Sequence, residues 1–276
     1  MKSFIKRVKD TFVIVLYLVL TVSAVNAKPS NEKSQISDMH LLAKKVIDET
    51  LQGETILHTW QQKSVSYSTY YRDENAYKKE TDLQVDKLFG QLSEISGIHF
   101  YRTQKTGTSE IGIFFAKDWK NDLMLANPKL LKAAINGSSM NKEQFLSSLK
   151  GQKRYVLMVF GASNSAIRRV VHLSDYLPYN VTGMCSLQHM VAASAFLSNK
   201  RIHFTSTCGQ ANELVRIRQV YIKALYSKEM KPYIGRKLTE FELKEAKKIL
   251  ENQMVKYSEE SGFIDFFLLN NRKEYK

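Results

Sequence analysis

The chain has 276 residues, 43% of them apolar, with only 12 glycines and 4 prolines, which excludes collagen-like and globally disordered classes. Forty-one Lys/Arg stand against 27 Asp/Glu, for a net charge of +14, and two cysteines are too few for a disulfide-dense scaffold or an all-cysteine zinc site. What remains is a basic globular protein with ample chain for a core.

Lys2, Lys6, Arg7 and Lys9 precede an apolar run of 11 residues, Phe12 to Val22, followed by Ser23-Ala24-Val25-Asn26-Ala27. A charged head, a short apolar stretch and small residues at Val25 and Ala27 are the signature of a secretory signal peptide cut after Ala27. A permanent membrane helix needs about 20 apolar residues, so the uncleaved anchor is the alternative reading. Cleavage lowers the net charge from +14 to +11, because four basic groups and one acid leave with residues 1–27. A basic exported protein suits anionic lipid, lipopolysaccharide, cell-wall polymer or nucleic acid, and the plainer reading of the charge is solubility, with lysines spread over a solvated surface. Here the basic residues are scattered, and the runs Lys244 to Lys248 and Arg272 to Lys276 are short.

After a polar leader, Leu41, Leu42, Val46, Ile47 and Leu51 recur at helical spacing, so residues 28–53 read as leader plus N-terminal helix. Thr55 to Trp60 and Val65 to Tyr70 read as strands. Val85, Leu88, Phe89, Leu92 and Ile95 mark a helix stopped at Gly97. Ile98 to Thr103 and Ile111 to Ala116 read as strands, and Pro128 to Ala134 and Lys142 to Leu149 as helices. Tyr155 to Phe160 is a continuous apolar strand, expected at the centre of a sheet, and Ile167 to Leu173 pairs with it across the Gly161–Ser165 turn. The last third is helical: Ser186 to Leu197, Asn212 to Tyr226, and Glu240 to Lys256, the last opened by the capping box Thr239-Glu240-Phe241-Glu242. The expected fold is α+β, one mixed sheet with helices in a single domain over 54–256, followed by a tail over 257–276.

In an exported protein Cys185 and Cys208 are expected to form a disulfide, which would pin the 22 residues between them for roughly 3 kcal/mol of chain entropy. A catalytic thiol is the other reading.

The order of these signals resembles a bacterial exported family, domain of unknown function 2927 (DUF2927), whose members are similar in fold to zinc metallopeptidases. The matching stretches are Ile56-Leu57-His58-Thr59-Trp60, Leu92 to Ile98, the strands Ile111 to Ala116 and Arg154 to Phe160, and Ile167 to Val171. Cys185 at the head of a helix and Ala224 to Pro232 complete the match over roughly residues 54–250, the last stretch being the most specific. The resemblance implies a zincin-like fold and sets the helix after Cys185 where a zincin carries its ligands. A working zincin helix reads His-Glu-x-x-His, two ligands one turn apart with a glutamate base between them. Here Gln188 and Ala192 stand at the ligand positions and His189 at that of the base. Alanine cannot bind a metal, glutamine binds zinc poorly, and no His-Glu-x-x-His occurs in the chain. A site built from His189, His203 and Glu213 is the remaining metal reading.

Other constellations are weaker. Gly161 to Ser165 lacks the second glycine of a nucleophile elbow. Asp118 and Asp122 flank Trp119 as a loop or cap would, or as paired carboxylates for sugar chemistry. Tyr67, Tyr70, Tyr71 and Tyr77 near Arg72, Lys78 and Lys79 read as strand-face aromatics, or as a platform for sugars or single strands.

These signals lead to an exported, periplasmic or secreted envelope protein with a degenerate metal helix, no catalytic residues and no cofactor. It would act by binding an envelope component such as an anionic polymer or a peptide. No specific nucleic acid binding and no anchor after cleavage are expected. The alternative is a divergent zinc-dependent metallopeptidase.

Overall fold

The computed structural model describes residues 32–73, 78–105, 108–138, 140–160, 167–177, 180–195 and 216–260. In chain order the helices are α1 (Glu32–Thr50), α2 (Lys78–Ser96), a π-helix (Lys120–Leu125), α3 (Pro128–Asn136), α4 (Lys142–Ser148), α5 (Val181–Ala195), α6 (Arg216–Leu225), a 3₁₀ turn (Lys228–Tyr233) and α7 (Glu240–Glu260). The strands are β1 (Ser64–Tyr71), β2 (His99–Arg102), β3 (Ile111–Ala116), β4 (Arg154–Phe160) and β5 (Ile167–Asp175). They form one mixed sheet in the order β2-β1-β3-β5-β4, with every pair parallel except the antiparallel β4–β5 hairpin. The expected α+β fold with a single mixed sheet is what the chain adopts.

Local chemistry explains the helix ends. Asn127 caps α3 by accepting from the Leu130 N–H at 3.1 Å, with Pro128 at the first helical position. Asn141 and Gln144 form a reciprocal capping box at α4, and Thr239 and Glu242 another at α7. Gly97 closes α2 at φ +73, a conformation that costs a side-chain-bearing residue energy.

Strand alternation sends two sets of side chains to opposite faces. On one face Val65, Tyr67, Ile111, Ile113, Phe115 and Val170 join residues of α1, α2, α5, α6 and α7 in the main core. On the other face Phe114, Leu157, Val171 and Leu173 meet Trp119, Met124, Ala134, Phe145 and Leu149 from the π-helix, α3 and α4. The Trp119 indole donates to the Gln152 carbonyl at 3.1 Å and stacks on Tyr155. Helix α1 shares the main core through Met39, Ala43, Val46 and Ile47, and is tied to α7 by His40–Glu251 and Asp48–Lys247 contacts, each 2.8 Å. No described helix is long and apolar enough to cross a membrane.

Because β2 and β3 flank β1 on opposite sides, the chain between them crosses over β1. Ser66 N–H donates to Glu110 Oε2 at 2.9 Å, and the Ser68 and Ser109 hydroxyls meet at 2.7 Å, fastening this crossing.

Two sequence expectations are corrected. Strand β4 lies at the sheet edge, not its centre. Its apolar run follows from helices covering both faces there: Tyr155 and Leu157 pack on the second core and Val156 on the main one. Residues 55–60 form no sheet strand. Ile56 and Leu57 instead bridge singly to Lys237 and Ile234, and burial of Leu57 and Trp60 accounts for the strand-like composition.

Phe89 stacks on Tyr67 at a centroid distance of 4.1 Å and is fully buried, whereas Leu83 on the same helix is 62% exposed. Phe89→Ala should cost about 3–5 kcal/mol in urea unfolding. Leu83→Ala should stay within about 0.5 kcal/mol of the parent.

Candidate functional site

Helix α5 carries the positions singled out in the sequence, and it is a core element on nearly every side. Leu187, Gln188, Met190, Val191, Ala192, Ser194 and Ala195 are all buried. Only the stripe Cys185, Ser186, His189 and Ala193 is half-buried.

Its C-terminal end is held by donors from distant parts of the chain. The last carbonyls of a helix have no partner within it and need one from outside. The Trp60 indole N–H donates to the Ser194 carbonyl at 2.6 Å, and the Tyr226 hydroxyl donates to the Ala195 carbonyl, also at 2.6 Å. Tyr226 in turn accepts from the Trp60 backbone N–H at 3.3 Å. From β5, His172 Nε2 lies 2.8 Å from the Ser194 hydroxyl. Burial, and secondarily the Arg154 charge, push His172 down to about 3, so its ring is neutral at neutral pH. Burial also raises the Tyr226 hydroxyl, which stays a donor at ordinary pH.

This end fixes which way α5 faces. Gln188 is 0% and Ala192 1% exposed, so both of these positions point into the core. His189 lies on the half-buried stripe alongside and meets a cation. Arg218 Nη2 of α6 lies 2.6 Å from His189 Nδ1 and 3.1 Å from Nε2. A guanidinium only donates, so the imidazole nitrogen facing it must carry a lone pair. Arg218 is 2% exposed, and burial together with the Arg154 charge pushes it down to about 10. Arg154, at the start of β4, donates through Nη1 to the Ser186 carbonyl at 3.2 Å, one turn before His189. The helix thus has two guanidinium groups and an imidazole gathered on its outer stripe. Zinc placed at His189 would compete with Arg218 for the ring nitrogen and stand beside a positive charge.

The remaining histidines are dispersed. His40 contacts Glu251, and His99 lies on edge strand β2, stacked on Tyr101. Among the described residues no three His, Cys, Asp or Glu side chains are grouped so as to hold a metal ion. His203, Glu213 and Cys208 lie outside the described residues, and with them the expected Cys185–Cys208 bond; so does the Gly161–Ser165 turn.

Asp118 and Asp122 act as caps. Asp118 Oδ1 accepts from the Asn121 N–H at 3.2 Å, which holds its carboxyl below the usual range, and Asp122 Oδ2 accepts from the Asp118 N–H at 3.0 Å. The tyrosines divide by strand parity. Tyr67 and Tyr71 turn inward and donate to Asp86 at 2.7 Å and Asp82 at 3.1 Å, while Tyr70 turns out. Arg102 completes that network, 2.6 Å from Asp86 and 3.5 Å from Asp82. The result is a clamp between α2 and the sheet edge. A groove of about 790 Å³ between α1 and α7 is lined by Ile47, Phe241 and Leu243 with four lysines and four carboxylates, so its charge is balanced.

Sequence reasoning passed over Arg154, Arg218, His172, Ser194 and Tyr226. No motif marks them; only an arginine inside the otherwise apolar face of residues 217–225 hinted at a buried charge. Comparison with family models, with curated proteins and with solved structures finds no match for this chain.

The depressed His172 ring has a consequence for acid stability. Its folded form resists protonation, so its contribution is complete above the ordinary histidine range near 6.5 and is lost as pH falls from there toward 3. The unfolding free energy from urea titration should fall between pH 7 and pH 4.5 by an amount on the order of a few kcal/mol. His172→Gln, which keeps a hydrogen-bonding group without the titration, should flatten that part of the profile.

Proposed function

We propose that the chain is an exported protein of the cell envelope that works by binding and not by peptide hydrolysis. The observation carrying this reading is the outward face of α5. Its only histidine accepts from a buried arginine, and the positions that would complete a ligand set, Gln188 and Ala192, are core residues. Peptide hydrolysis by a zincin needs an open metal coordination position and a carboxylate base. This helix has neither residue type at the required places. The resemblance to zincin-like exported proteins gives a history for such a helix, one in which the scaffold is kept and the chemistry lost. Its partner would be an anionic component of the envelope, in keeping with a net charge of +11 after removal of residues 1–27.

Two measurements test this. Elemental mass spectrometry of the purified protein, after dialysis against a weak chelator, should find well under about one zinc per chain. About one zinc per chain, lost on His189→Ala together with peptidase activity, would overturn it in favour of the metallopeptidase reading. Without a metal, His189→Ala should lower stability by about 1–2 kcal/mol through loss of the Arg218 contact. Export is checked by the intact mass of the protein recovered from the envelope, which should begin at Lys28.

A further inference from the structure

We propose that the groove between α1 and α7 is the seat of the chain's own segment Phe263 to Leu269, which doubles back along α7. This goes beyond the binding reading and stands apart from it. The groove has a volume of about 790 Å³, with buried Ile47 and half-buried Leu243 on its floor and Phe241 at its edge. Its two helices are pinned together by the Asp48–Lys247 contact at 2.8 Å, and Glu251 in its lining is held by His40 of α1. Phe241 is 76% exposed. One exposed apolar side chain is ordinary on a protein surface, but this one borders a ready-made concavity.

Charge, composition and reach select this occupant. Four lysines and four carboxylates leave the groove with no net potential to draw a polyanion, so apolar contact decides what it takes. Beyond the end of α7, outside the described residues, six of the seven residues from Phe263 to Leu269 are apolar, Asp265 being the exception. A stretch of that composition gains free energy by leaving water. Helix α7 rises about 1.5 Å per residue, so Phe241 lies about 29 Å back from Glu260. Extended chain covers about 3.3 Å per residue, so Leu269 reaches about 30 Å from Glu260. In that register Phe266 to Leu269 fall level with roughly residues 240–247, along the groove, and Asp265 falls beside Lys248. Gly262, just past the helix, is the residue type that tolerates the left-handed backbone needed to reverse a chain there. Tethering also raises the local concentration of the segment to roughly millimolar, above what a second copy reaches at working concentrations.

The test is hydroxyl-radical footprinting of the full chain, read residue by residue with mass spectrometry. Phe241 should be labelled slowly in the parent, and Phe266→Ser combined with Phe267→Ser should raise its labelling several-fold. Phe145, buried in the second core, should stay protected in both proteins. The reciprocal variant Phe241→Lys, at an exposed position, should raise the labelling of Phe266 and Phe267 in the same way. Equal labelling of Phe241 in the parent and the double variant overturns the proposal. So does protection of Phe241 that vanishes on dilution, because a second copy would then be the occupant. Protection that appears only on adding phosphatidylglycerol vesicles overturns it too, in favour of a lipid surface. If the double variant fails to fold, Phe241→Lys decides alone, and unchanged labelling of Phe266 and Phe267 overturns the proposal. Zinc content bears on the binding reading and not on this groove, so the two fail separately.

Discussion

The last described turn of α5 is buried, and the rest of the molecule's central layer is built around the donors that meet its Ser194 and Ala195 carbonyls. A buried carbonyl without a donor costs about 1–3 kcal/mol, and Ser194 and Ala195 are both buried. Trp60 and Tyr226 supply the donors, each at 2.6 Å. Trp60 belongs to the segment before β1 and Tyr226 to the end of α6, so two distant parts of the chain close on one helix end. His172 and Ser194 then fasten the last turn to β5. The helix can neither slide nor rotate without breaking several buried hydrogen bonds at once.

From that constraint the character of the candidate site follows. With Ser194 turned to the sheet, Gln188 and Ala192 lie in the core and His189 lies on the half-buried stripe beside them. The same orientation delivers His189 to Arg218 and Ser186 to Arg154. The half-buried stripe of α5 therefore carries an imidazole in contact with one guanidinium and a backbone carbonyl in contact with another.

Most of the architecture was legible in the sequence because period and punctuation are local. The helix ending at Gly97, the capping box at Thr239 and the antiparallel pairing of β4 with β5 were all readable from local residue pattern. Sheet order was not legible. An apolar run such as 155–160 reports that both faces are covered, and helices cover both faces of this edge strand. Residues 55–60 misled for a related reason, since burial of Leu57 and Trp60 serves a helix end and a short bridge in place of a strand. The site was half legible. The Gln188, His189 and Ala192 positions drew attention by residue type alone, and the structure places Gln188 and Ala192 in the core and His189 beside Arg218. The role of Arg218 was invisible, because its partner His189 is 29 residues away and only the packing of α6 on the body joins them.

The central claim is that α5 is a core helix locked at its C-terminal end and not the wall of an open cleft. Native-state hydrogen exchange read by mass spectrometry on peptides covering residues 187–195 tests it most directly. The account predicts that these amides exchange only through global unfolding, alongside those of β3 and α2, and that Trp60→Phe moves them to a faster, sub-global opening. Exchange of residues 187–195 by local opening in the parent protein, well before β3 opens, would contradict it.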